Sequence, residues 1–377
     1  MPTTDALPNR PVWDEGPTLD LPTLHGPVDA DVCVVGLGGS GLAAVHELLA
    51  LGRSVVGIDA GIVGGAAAGR NGGFLLAGPA DFHHDAVAKH GRERAVRLYH
   101  LTLEQIAHIE RETPDAVRRV GSIRLAASDE ELADCRVQLD AMRADDLPAE
   151  WYEGPLGTGL RIPTDAAFQP MTRARALARD ALSRGARLYE ASPALEIAGD
   201  VVRTPDGVVR CRAVVVAVDG ALDLLLPELA PRIRSTRLQM LATAPTREVS
   251  VPCPVYARWG YDYWQQLPDG RVSLGGCRDL DMDAEWGHDA TPTPFIQQAL
   301  DTVLRERVGV RTAPVTHRWA AIVGYTDDGL PVCAEARPGV WAVGAYSGTG
   351  NVVGALCGRA AARKAVGLDS DVWDLMS

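Results

Sequence analysis

Hydrophobic residues are grouped most clearly near the start of the chain, where two short apolar runs flank a longer one. The first run, Val32–Val35, is apolar throughout, which is typical of a strand buried on both faces of a parallel sheet. Residues 42–51 are long enough for a helix, have apolar side chains on most faces, and are followed by Gly52. Residues 54–58 form the second short run. The pattern therefore predicts a strand, a helix and a second parallel strand in one βαβ unit.

The chain beyond this unit alternates between helical and strand patterns. Helical spacing covers residues 86–118, 129–144 and 173–184, the last of which Gly185 ends. Short apolar runs predict strands at residues 121–127, 166–169 and 213–218. We expect the third of these strands to be parallel and to join the βαβ unit.

Turn signals and a change in composition mark a second region. Pro-Asp-Gly occurs at residues 205–207 and again at 268–270, each time between β-rich segments, and predicts two hairpins. Aromatic and β-branched residues dominate residues 240–277, which indicates an antiparallel sheet in a second domain. Residues 340–366 return to a strand, a glycine turn and a helix.

The length of 377 residues suits two domains, or one nucleotide-binding domain with a large insertion. Residues 1–27 are rich in proline and acidic residues and show no regular spacing. We expect them to form an irregular arm, anchored by Trp13, that covers the body of the protein without adding a core.

Charge and cysteine content narrow the class of protein. The formal net charge is −12 and no long basic run is present, so a nucleic-acid partner is not expected. The seven cysteines are scattered and never form a Cys-x-x-Cys pair, which favours reduced thiols in the cytoplasm. We also expect no secretory signal and no membrane span. His83, His84 and His90 lack carboxylates at a ligand spacing, so no metal is expected.

The turn between the first strand and the first helix matches a dinucleotide-binding fingerprint. Gly36, Gly38 and Gly41 fit Gly-x-Gly-x-x-Gly: the first glycine makes the turn, the second lets backbone approach a pyrophosphate, and the third allows close packing of helix and strand. Asp59 ends the second strand about eighteen residues later, where its carboxylate can accept hydrogen bonds from ribose hydroxyls. NAD and FAD both use this fingerprint.

A second loop, residues 61–74, distinguishes the two cofactors. It is composed mainly of glycine and alanine, so backbone can lie against a flat, bulky ligand and donate N–H groups to it. An NAD enzyme has no evident need for such a loop, because its nicotinamide must enter and leave. The loop therefore favours FAD.

The sequence resembles the D-amino-acid oxidase superfamily of FAD-dependent oxidoreductases, especially its gamma-glutamylputrescine oxidase branch. Residues 69–74, Gly-Arg-Asn-Gly-Gly-Phe, are similar to that branch's SGRNGGF, with Ala68 in place of serine. Trp13, residues 31–41 and Asp59 contribute to the resemblance. So do later segments in the family's order: Phe168-Gln169-Pro170, residues 213–217, Arg318-Trp319, residues 326–331 and residues 344–350.

The resemblance implies an α/β plus α+β fold, with a discontinuous Rossmann-type FAD-binding domain and an inserted, mostly antiparallel substrate domain. We assign residues 28–80, 166–225 and 313–377 to the first domain, and residues 81–165 and 226–312 to the second. The resemblance also implies that residues 348–351 and the helix after them approach the flavin ring. The predicted FAD-binding residues are Gly36, Gly38, Gly39, Ser40, Gly41, Asp59, Ala60, Gly61, Gly65, Ala66, Gly69, Arg70, Asn71, Gly72, Gly73, Ala194, Ala217, Gly220, Gly348, Thr349, Gly350 and Asn351.

The chain also departs from its relatives of the sarcosine oxidase kind. Those enzymes hold FAD through a cysteine where this chain has Ala320, Ala321 and Ile322. Cys333 lies after residues 326–331, whereas the attaching cysteine of those enzymes lies before them, so non-covalent FAD is expected. Residues 271–276 lack the lysine that helps oxygen react in those relatives. Val352 replaces the lysine that holds a substrate carboxylate. The acceptor, oxygen or another, stays open.

The substrate site is predicted from aromatic residues and arginines. Four aromatics fall within residues 259–264 of a chain that is 5% aromatic, and they can either pack the sheet or line a pocket whose rings face an amine. Arg70 can tie the loop to the sheet or stabilise negative charge on reduced flavin. We assign catalytic roles to Arg70, Tyr261, Tyr263 and Tyr346, and substrate binding to Arg258, Trp259, Trp264 and Arg278. No strong carboxylate clamp is expected, although Arg258 or Arg278 could replace the missing lysine.

The leading hypothesis is oxidation of the carbon–nitrogen bond of a small amine or amino acid, in which a hydride passes to flavin N5 and the imine hydrolyses. The partners are then that substrate and oxygen or another electron acceptor. Two alternatives stay open: an FAD-dependent tailoring oxidoreductase that acts on a larger metabolite, and a non-catalytic flavin-binding protein. The fold alone does not choose among substrates.

Overall fold

The computed structural model describes residues 9–377. The β-strands, in chain order, are β1 Gly26–Asp29, β2 Val32–Val35, β3 Val55–Ile58, β4 Phe74–Leu75, β5 Val117–Arg118, β6 Ser122–Leu125, β7 Glu150–Gly154, β8 Gly157–Ile162, β9 Ala166–Phe168, β10 Arg187–Tyr189, β11 Glu196–Ile197, β12 Val201–Arg203, β13 Gly207–Arg210, β14 Ala213–Val216, β15 Arg234–Thr243, β16 Val255–Ala257, β17 Asp262–Gln266, β18 Val272–Gly276, β19 Val315–Tyr325, β20 Val332–Arg337 and β21 Val340–Gly344. The α-helices are α1 Gly39–Ala50, α2 His83–His90, α3 Arg92–Glu112, α4 Asp129–Ala144, α5 Pro170–Ser183, α6 Leu222–Leu225, α7 Met282–Glu285, α8 Pro294–Val303, α9 Val353–Ala365 and α10 Asp371–Met376.

A six-stranded sheet carries the predicted βαβ unit. Its order is β10-β3-β2-β14-β21-β20, and every neighbouring pair is parallel except β20 with β21. The strands β2, β3 and β14 are buried throughout, as their apolar sequences predict. Helices α1, α5 and α9 bury their apolar residues in one core cluster with this sheet. Three separated stretches of chain therefore build one nucleotide-binding sheet, and the predicted mixed fold is confirmed.

An eight-stranded sheet forms the second large layer, in the order β19-β15-β18-β17-β16-β6-β8-β7. Its pairs are antiparallel except β16 with β6, and β17 and β18 form the hairpin that the second Pro-Asp-Gly turn predicts. The hairpin of β7 and β8 was not expected from the sequence. The strand β19, which the predicted boundary at residue 313 places in the FAD-binding domain, pairs along its length with β15 of the eight-stranded sheet.

The N-terminal arm contributes to the core, which corrects the expectation that it would only cover the body. Val12 is 1% exposed and Trp13 is 2% exposed. Both pack with Met171, Met240 and Trp319 in a cluster between the layers. The indole Nε1 of Trp13 also donates to the carbonyl of Asn71 over 2.7 Å. A buried tryptophan needs both apolar neighbours and a hydrogen-bond acceptor for its N–H, and Trp13 of the arm has both. Residues 1–8 of the predicted arm lie outside the described residues.

The predicted helical segment at residues 86–118 is divided in the structure. Gly91, with φ of +83°, separates α2 from α3, a backbone conformation that glycine adopts at little cost. Helix α3 ends at Glu112, just before Pro114, since proline disfavours helical backbone in the residue before it. Residues 117–118 then pair with β9 as a strand.

Asp165 links the loop after β4 to strand β6 of the eight-stranded sheet. Its carboxylate accepts hydrogen bonds from the N–H of Ala77, over 2.9 Å, and from the hydroxyl of Ser122, over 2.6 Å. The side chain is buried, and burial raises the pKa of the Asp165 carboxyl to about 7. A carboxyl whose pKa is raised in the folded state binds its proton more tightly there than in the unfolded chain. Stability is therefore greater at low pH and is lost as pH rises from about 4 to about 7.

Asp165→Asn should remove this loss. Asparagine keeps the shape, can accept from Ala77, and can donate to Ser122, whose hydroxyl is able to accept. We expect the free energy of unfolding of the variant, relative to the native chain, to rise by about 2–3 kcal/mol between pH 5 and pH 8. Urea denaturation at both pH values measures this difference. Asp140→Asn, at an exposed position, serves as the matched control. If the difference in free energy of unfolding between Asp165→Asn and the native chain is the same at both pH values, the raised pKa of Asp165 is contradicted.

Candidate functional site

The turn after β2 is closely packed and requires glycine at two positions. Gly36 has φ of +94°, and a Cβ added there would lie 2.5 Å from the carbonyl oxygen of Ala217. A Cβ on Gly41 would lie 1.8 Å from the carbonyl oxygen of Gly36. The first and third glycines of the fingerprint thus fold the turn and seat the helix against the strand.

The N-terminus of α1 is left open for a ligand. Its N-cap residue, Gly38, offers no side-chain acceptor, and the first turn contains no acidic residue. No atom lies within 4 Å of the position that a Cβ on Gly39 would take. Free N–H groups at the positive end of a helix, with no side chain in front of them, suit a phosphate.

Asp59 follows β3 beside this turn. One carboxylate oxygen accepts from the N–H of Leu37 over 2.8 Å, and the other accepts from the N–H of Gly61 over 2.8 Å. Burial raises the pKa of the Asp59 carboxyl, and these two hydrogen bonds oppose that rise. The carboxylate therefore holds the dinucleotide turn and the start of the second glycine loop together, with lone pairs left for hydroxyl donors.

We expect Asp59→Ala to weaken FAD binding by about 1–3 kcal/mol, because the N–H groups of Leu37 and Gly61 and the bound ribose all lose an acceptor. The dissociation constant of FAD from the apoprotein, followed by quenching of flavin fluorescence, measures the change. Asp59→Asn keeps one acceptor oxygen, so its dissociation constant for FAD should lie between those of the native chain and the alanine variant. An unchanged dissociation constant in the alanine variant would show that Asp59 is not at the ribose.

The second glycine loop is fixed to the C-terminal part of the chain by a pair of amides. The side-chain nitrogen of Asn71 donates to the side-chain oxygen of Asn351 over 3.0 Å, and Asn351 donates back over 3.1 Å. Asn71 also donates to the carbonyls of Ala67 and Ala68 and accepts from the N–H of Gly73. The structure thus joins two loops that are 280 residues apart in the sequence.

Arg70 lies between this loop and β19. Its Nε donates to the carbonyl oxygen of Ala320 over 2.8 Å, and its guanidinium also contacts Asn9. The indole of Trp319 donates to the carbonyl of Arg70 over 2.8 Å. These contacts favour the interpretation in which Arg70 ties the loop to the sheet.

The remaining predicted FAD-binding residues follow the carboxyl ends of the parallel strands, or lie in loops beside them. Ala217 follows β14, and Gly220 packs against the backbone of Gly324. Gly348 has φ of +90° in the turn before α9, a helix with no acidic residue in its first turn. Gly358 of α9 packs directly on Ser40. The other members of these loops are Ala60, Gly65, Ala66, Gly69, Gly72, Ala194, Thr349 and Gly350.

The predicted Tyr263 packs on the glycine loop, and the predicted Tyr261 shares Arg278 with Tyr325 and Trp286, two aromatic residues that the sequence did not single out. The ring of Tyr263 packs over Gly72 and Gly275. It also lies edge-to-face with the ring of Phe74, and the two ring centres are 6.1 Å apart. The guanidinium of Arg278 lies 4.5 Å from the ring centre of Tyr325, 5.4 Å from that of Tyr261 and 5.7 Å from that of Trp286. Tyr325 and Trp286 lack a local motif, because they come from the end of β19 and from the segment after α7.

The other predicted substrate residues lie elsewhere. Trp264 is 2% exposed and packs among the apolar residues of the opposite face of β17, since neighbouring residues of a strand point to opposite sides. Tyr346 is 3% exposed in the core beside α9. Arg258 is paired with Asp262 and Asp279. Trp259 is 41% exposed and has φ of +53°. It lies on a turn in which the N–H groups of Arg258 and Trp259 donate hydrogen bonds to the carboxylate of Glu131. The structure thus places the side chains of Trp264 and Tyr346 in the core, while Arg258 stays beside Tyr261, whose N–H donates to the Arg258 carbonyl over 3.0 Å.

The residues present fit FAD. A helix N-terminus free of side chains, a carboxylate at the end of the next strand, and a glycine loop held by an amide pair lie along one edge of the sheet. These are the donors and the clearance that a pyrophosphate, a ribose and a flat ring require.

A family model described as FAD dependent oxidoreductase matches residues 31–364, which is most of the chain. The chain belongs to this family. It is therefore an FAD-dependent oxidoreductase of the D-amino-acid oxidase superfamily, as the resemblance implied.

Similar proteins support the same assignment for this FAD-dependent oxidoreductase. It is 27% identical to the probable oxidoreductase OrdL of Rhizobium meliloti, over 97% of this chain and 88% of that protein. It is 27% identical to the gamma-glutamylputrescine oxidoreductase of Escherichia coli, over 89% of this chain and 84% of that protein. Its fold matches the solved glycine oxidase of Geobacillus kaustophilus with a TM-score of 0.76 at 20% identity, covering 91% and 96% of the two chains.

Residues 9–377 show neither a membrane-crossing helix nor a cluster of metal-binding side chains. Within that range, no helix is both long and apolar enough to cross a membrane. The described part of the chain also contains no group of three or more histidine, cysteine, aspartate or glutamate side chains placed to hold a metal. His83 instead contacts Asp145, and His84 contacts Asp134.

Proposed function

We propose that this FAD-dependent oxidoreductase oxidises the carbon–nitrogen bond of a small amine or amino acid, giving an imine that hydrolyses, with oxygen or another acceptor taking the electrons. The observation that carries the proposal is the position of Tyr263, whose ring packs on Gly72 of the loop that fits the flavin. The names of similar proteins agree with it, among them gamma-glutamylputrescine oxidoreductase and glycine oxidase. We further propose the cytoplasm as its location, where free cysteines stay reduced.

FAD, when bound, supplies the atom N5 that accepts a hydride from the carbon next to nitrogen. The chain supplies the orientation of the substrate. Tyr263 covers the glycine loop, and the hydroxyl of Tyr325 lies 3.6 Å from the position that a Cβ on Gly348 would take. The two tyrosines therefore extend from one predicted flavin loop to the other.

These tyrosines do not act as bases. Burial raises the pKa of the Tyr263 hydroxyl and that of the Tyr325 hydroxyl, so both stay protonated near neutral pH. Hydride can leave only when the substrate nitrogen has its lone pair free, so the ammonium form must lose its proton first. We infer that this proton passes to solvent, which leaves the reaction dependent on the amine's own pKa.

Flavin reduction without oxygen tests the proposal. A panel of amines and amino acids is mixed with oxidised holoenzyme, and the visible flavin band is followed between pH 6 and pH 9. We expect bleaching that becomes faster, at low substrate, as pH rises towards the pKa of the amine. If no member of the panel bleaches the flavin, the proposed reaction is contradicted, and a non-catalytic flavin-binding protein becomes the favoured alternative. Repeating the bleaching compounds in air shows whether peroxide forms, which decides between oxygen and another acceptor.

We also propose that FAD is held without a covalent bond. Ala320, Ala321 and Ile322 occupy β19 beside the glycine loop, while Cys333 is 3% exposed within the core cluster of the nucleotide sheet. Precipitation with acid should therefore leave the yellow colour in the supernatant. Flavin retained by the washed pellet would contradict non-covalent binding.

A further inference from the structure

We propose that a cleft at the hairpin end of β17 binds a small organic anion, in which a carboxylate or a phosphate is joined to an apolar body. The cleft has a volume of about 660 Å³, which is within the range of small-ligand sites. It is lined by Arg118 and by residues of two segments, 245–252 and 266–270, the second of which contains the turn between β17 and β18. We call it the hairpin cleft.

The hairpin cleft is separate from the rings around Arg278. Tyr261, whose ring centre lies 5.4 Å from the guanidinium of Arg278, directly precedes β17. Gln266 is the last residue of the same strand, so about 15 Å of extended chain lies between the two residues. A ligand in the cleft therefore leaves the space beside Arg278 open, and this inference does not rest on the proposed reaction.

The side chain of Gln266 fixes the two segments that form the walls of the cleft. Its nitrogen donates to the carbonyls of Thr246, over 3.1 Å, and Gly270, over 3.3 Å. Its oxygen accepts from the N–H of Val251 over 3.1 Å. The N–H of Thr246 also donates to the carbonyl of Gly270 over 3.0 Å. Because these bonds are made within the protein, the walls need little ordering when a ligand binds.

Arg118 brings a cation to the cleft without a carboxylate to neutralise it. The residue is half-buried, and its hydrogen bond is a long one, from Nη2 to the carbonyl of Gln266 over 3.4 Å. Burial lowers the pKa of the Arg118 guanidinium. Among residues 9–377, no ion pair includes Arg118 or Arg247, the other arginine of the lining. A partly desolvated charge without a partner is unfavourable, and an oxyanion that accepts from the guanidinium would relieve this cost.

The carboxylates near the cleft are engaged with other groups. Asp269, which is part of the lining, pairs with Arg271 over 2.6 Å. Glu248 accepts hydrogen bonds of 2.7–2.9 Å from the N–H groups of residues 311–313. Neither carboxylate pairs with the two arginines of the lining, so their positive charge is left for a ligand.

The remaining lining suits an apolar body. Its apolar members are Pro245, Val249, Val251, Pro252, Leu267 and Pro268. An inorganic anion alone would leave this surface in water, whereas a ligand with an apolar part would cover it. The formal net charge of the chain is −12, so the overall field repels anions. Binding should therefore depend on direct contact with the arginines of the cleft.

Isothermal titration calorimetry of the oxidised holoenzyme tests the site without turnover. Hexanoate, hexyl phosphate, neutral hexanol and inorganic phosphate are compared at constant ionic strength. We expect both organic anions to bind more tightly than hexanol or inorganic phosphate, and the tighter of the two identifies the anionic group. Arg118→Gln should weaken both organic anions at least tenfold and leave hexanol unchanged. Arg118→Lys, which keeps the charge but loses the planar fork, should lie between.

Two results would overturn the inference. The first is hexanol binding as tightly as hexanoate, because the cation would then contribute nothing. The second is unchanged binding of both organic anions in Arg118→Gln, because the anion would then lie elsewhere. Equal FAD content and equal unfolding midpoints of the variants without ligand would show that the fold is preserved.

Arg311→Gln is the matched control for charge. Arg311 is exposed and bonds through its N–H to Glu248, so it belongs to the same neighbourhood, yet it does not line the cleft. We expect less than a twofold change in hexanoate binding. An equal loss in Arg311→Gln and Arg118→Gln would show a diffuse field in place of a contact and would contradict the site.

The flavin absorption spectrum separates the hairpin cleft from the site beside the flavin loops. We expect Arg118→Gln to remove the calorimetric binding of hexanoate and to leave any effect of hexanoate on the flavin spectrum as it is in the native chain. A spectral effect that disappears together with the calorimetric binding would place the anion beside the flavin and overturn a separate site. Neither measurement uses an amine substrate, so failure of the proposed reaction would leave this test intact.

Discussion

Gly41→Ala should produce a protein that no longer binds FAD. The added methyl group would lie 1.8 Å from the carbonyl oxygen of Gly36, whereas real Cβ atoms essentially never approach another heavy atom closer than 3.0 Å. The neighbour is backbone in a turn that Gly36 already holds at positive φ, so it cannot rotate away as a side chain can. The helix and the strand must separate, which displaces the N–H groups at the start of α1. We expect at least a hundredfold loss of FAD affinity, together with a loss of stability of about 1–3 kcal/mol.

Gly39→Ala provides the matched control for this prediction. No atom of the protein lies within 4 Å of the position of the added methyl group, so the stability of the apoprotein should change by less than about 0.5 kcal/mol. Titration of both apoproteins with FAD and thermal unfolding of both give the comparison. A Gly41→Ala protein that binds FAD as tightly as the native chain would show that the turn is more pliable than its packing indicates. A loss of affinity in Gly39→Ala without a loss of stability would report direct contact with the ligand.

Replacing Asn71 should have the second largest effect. Its amide makes the reciprocal pair with Asn351 and holds the carbonyls of Ala67 and Ala68, so alanine leaves several polar groups without partners. We expect the free energy of unfolding of the holoenzyme to fall by about 1–3 kcal/mol or more. We also expect FAD affinity to fall at least tenfold, because the glycine loop and the turn before α9 are no longer joined.

A double-mutant cycle isolates the pair. Asn71→Ala, Asn351→Ala and the double variant are compared by urea denaturation and by FAD titration. Since the two side chains bond each other, we expect a coupling energy of about 0.5–3 kcal/mol. Asn71→Asp keeps the shape but removes the N–H donors that face the two carbonyls, and should be at least as damaging as alanine. Strictly additive losses would indicate that the two amides support their loops independently.

Local sequence predicted the nucleotide-binding unit well. The strands Val32–Val35 and Val55–Ile58 and the helix between them have contacts that are close in sequence, so apolar runs and glycine spacing suffice to find them. Both Pro-Asp-Gly hairpins formed for the same reason. The helix Asp129–Ala144 has the predicted bounds, because Ser128 caps its first turn.

Predictions that depended on distant partners were less complete. The buried arm and the position of β19 depend on contacts between distant parts of the chain. The local spacing of apolar residues does not indicate such contacts. In the aromatic segment, composition suggested one wall, but strand alternation sends Tyr263 and Trp264 to opposite faces. Which residue faces the flavin loops depends on which face of the sheet those loops cover.

The sequence by itself determined the cofactor fold, because the glycine turn, the carboxylate after the second strand and the glycine loop are each short-range signals. Only the tertiary structure decided which arginine is paired with carboxylates. Arg258 and Arg278 look equivalent in the sequence, yet carboxylates from β17 and from the turn after β18 pair with the first, while rings surround the second. Charge pairing depends on distances of a few ångströms between residues that the fold brings together, and a linear pattern does not encode those distances.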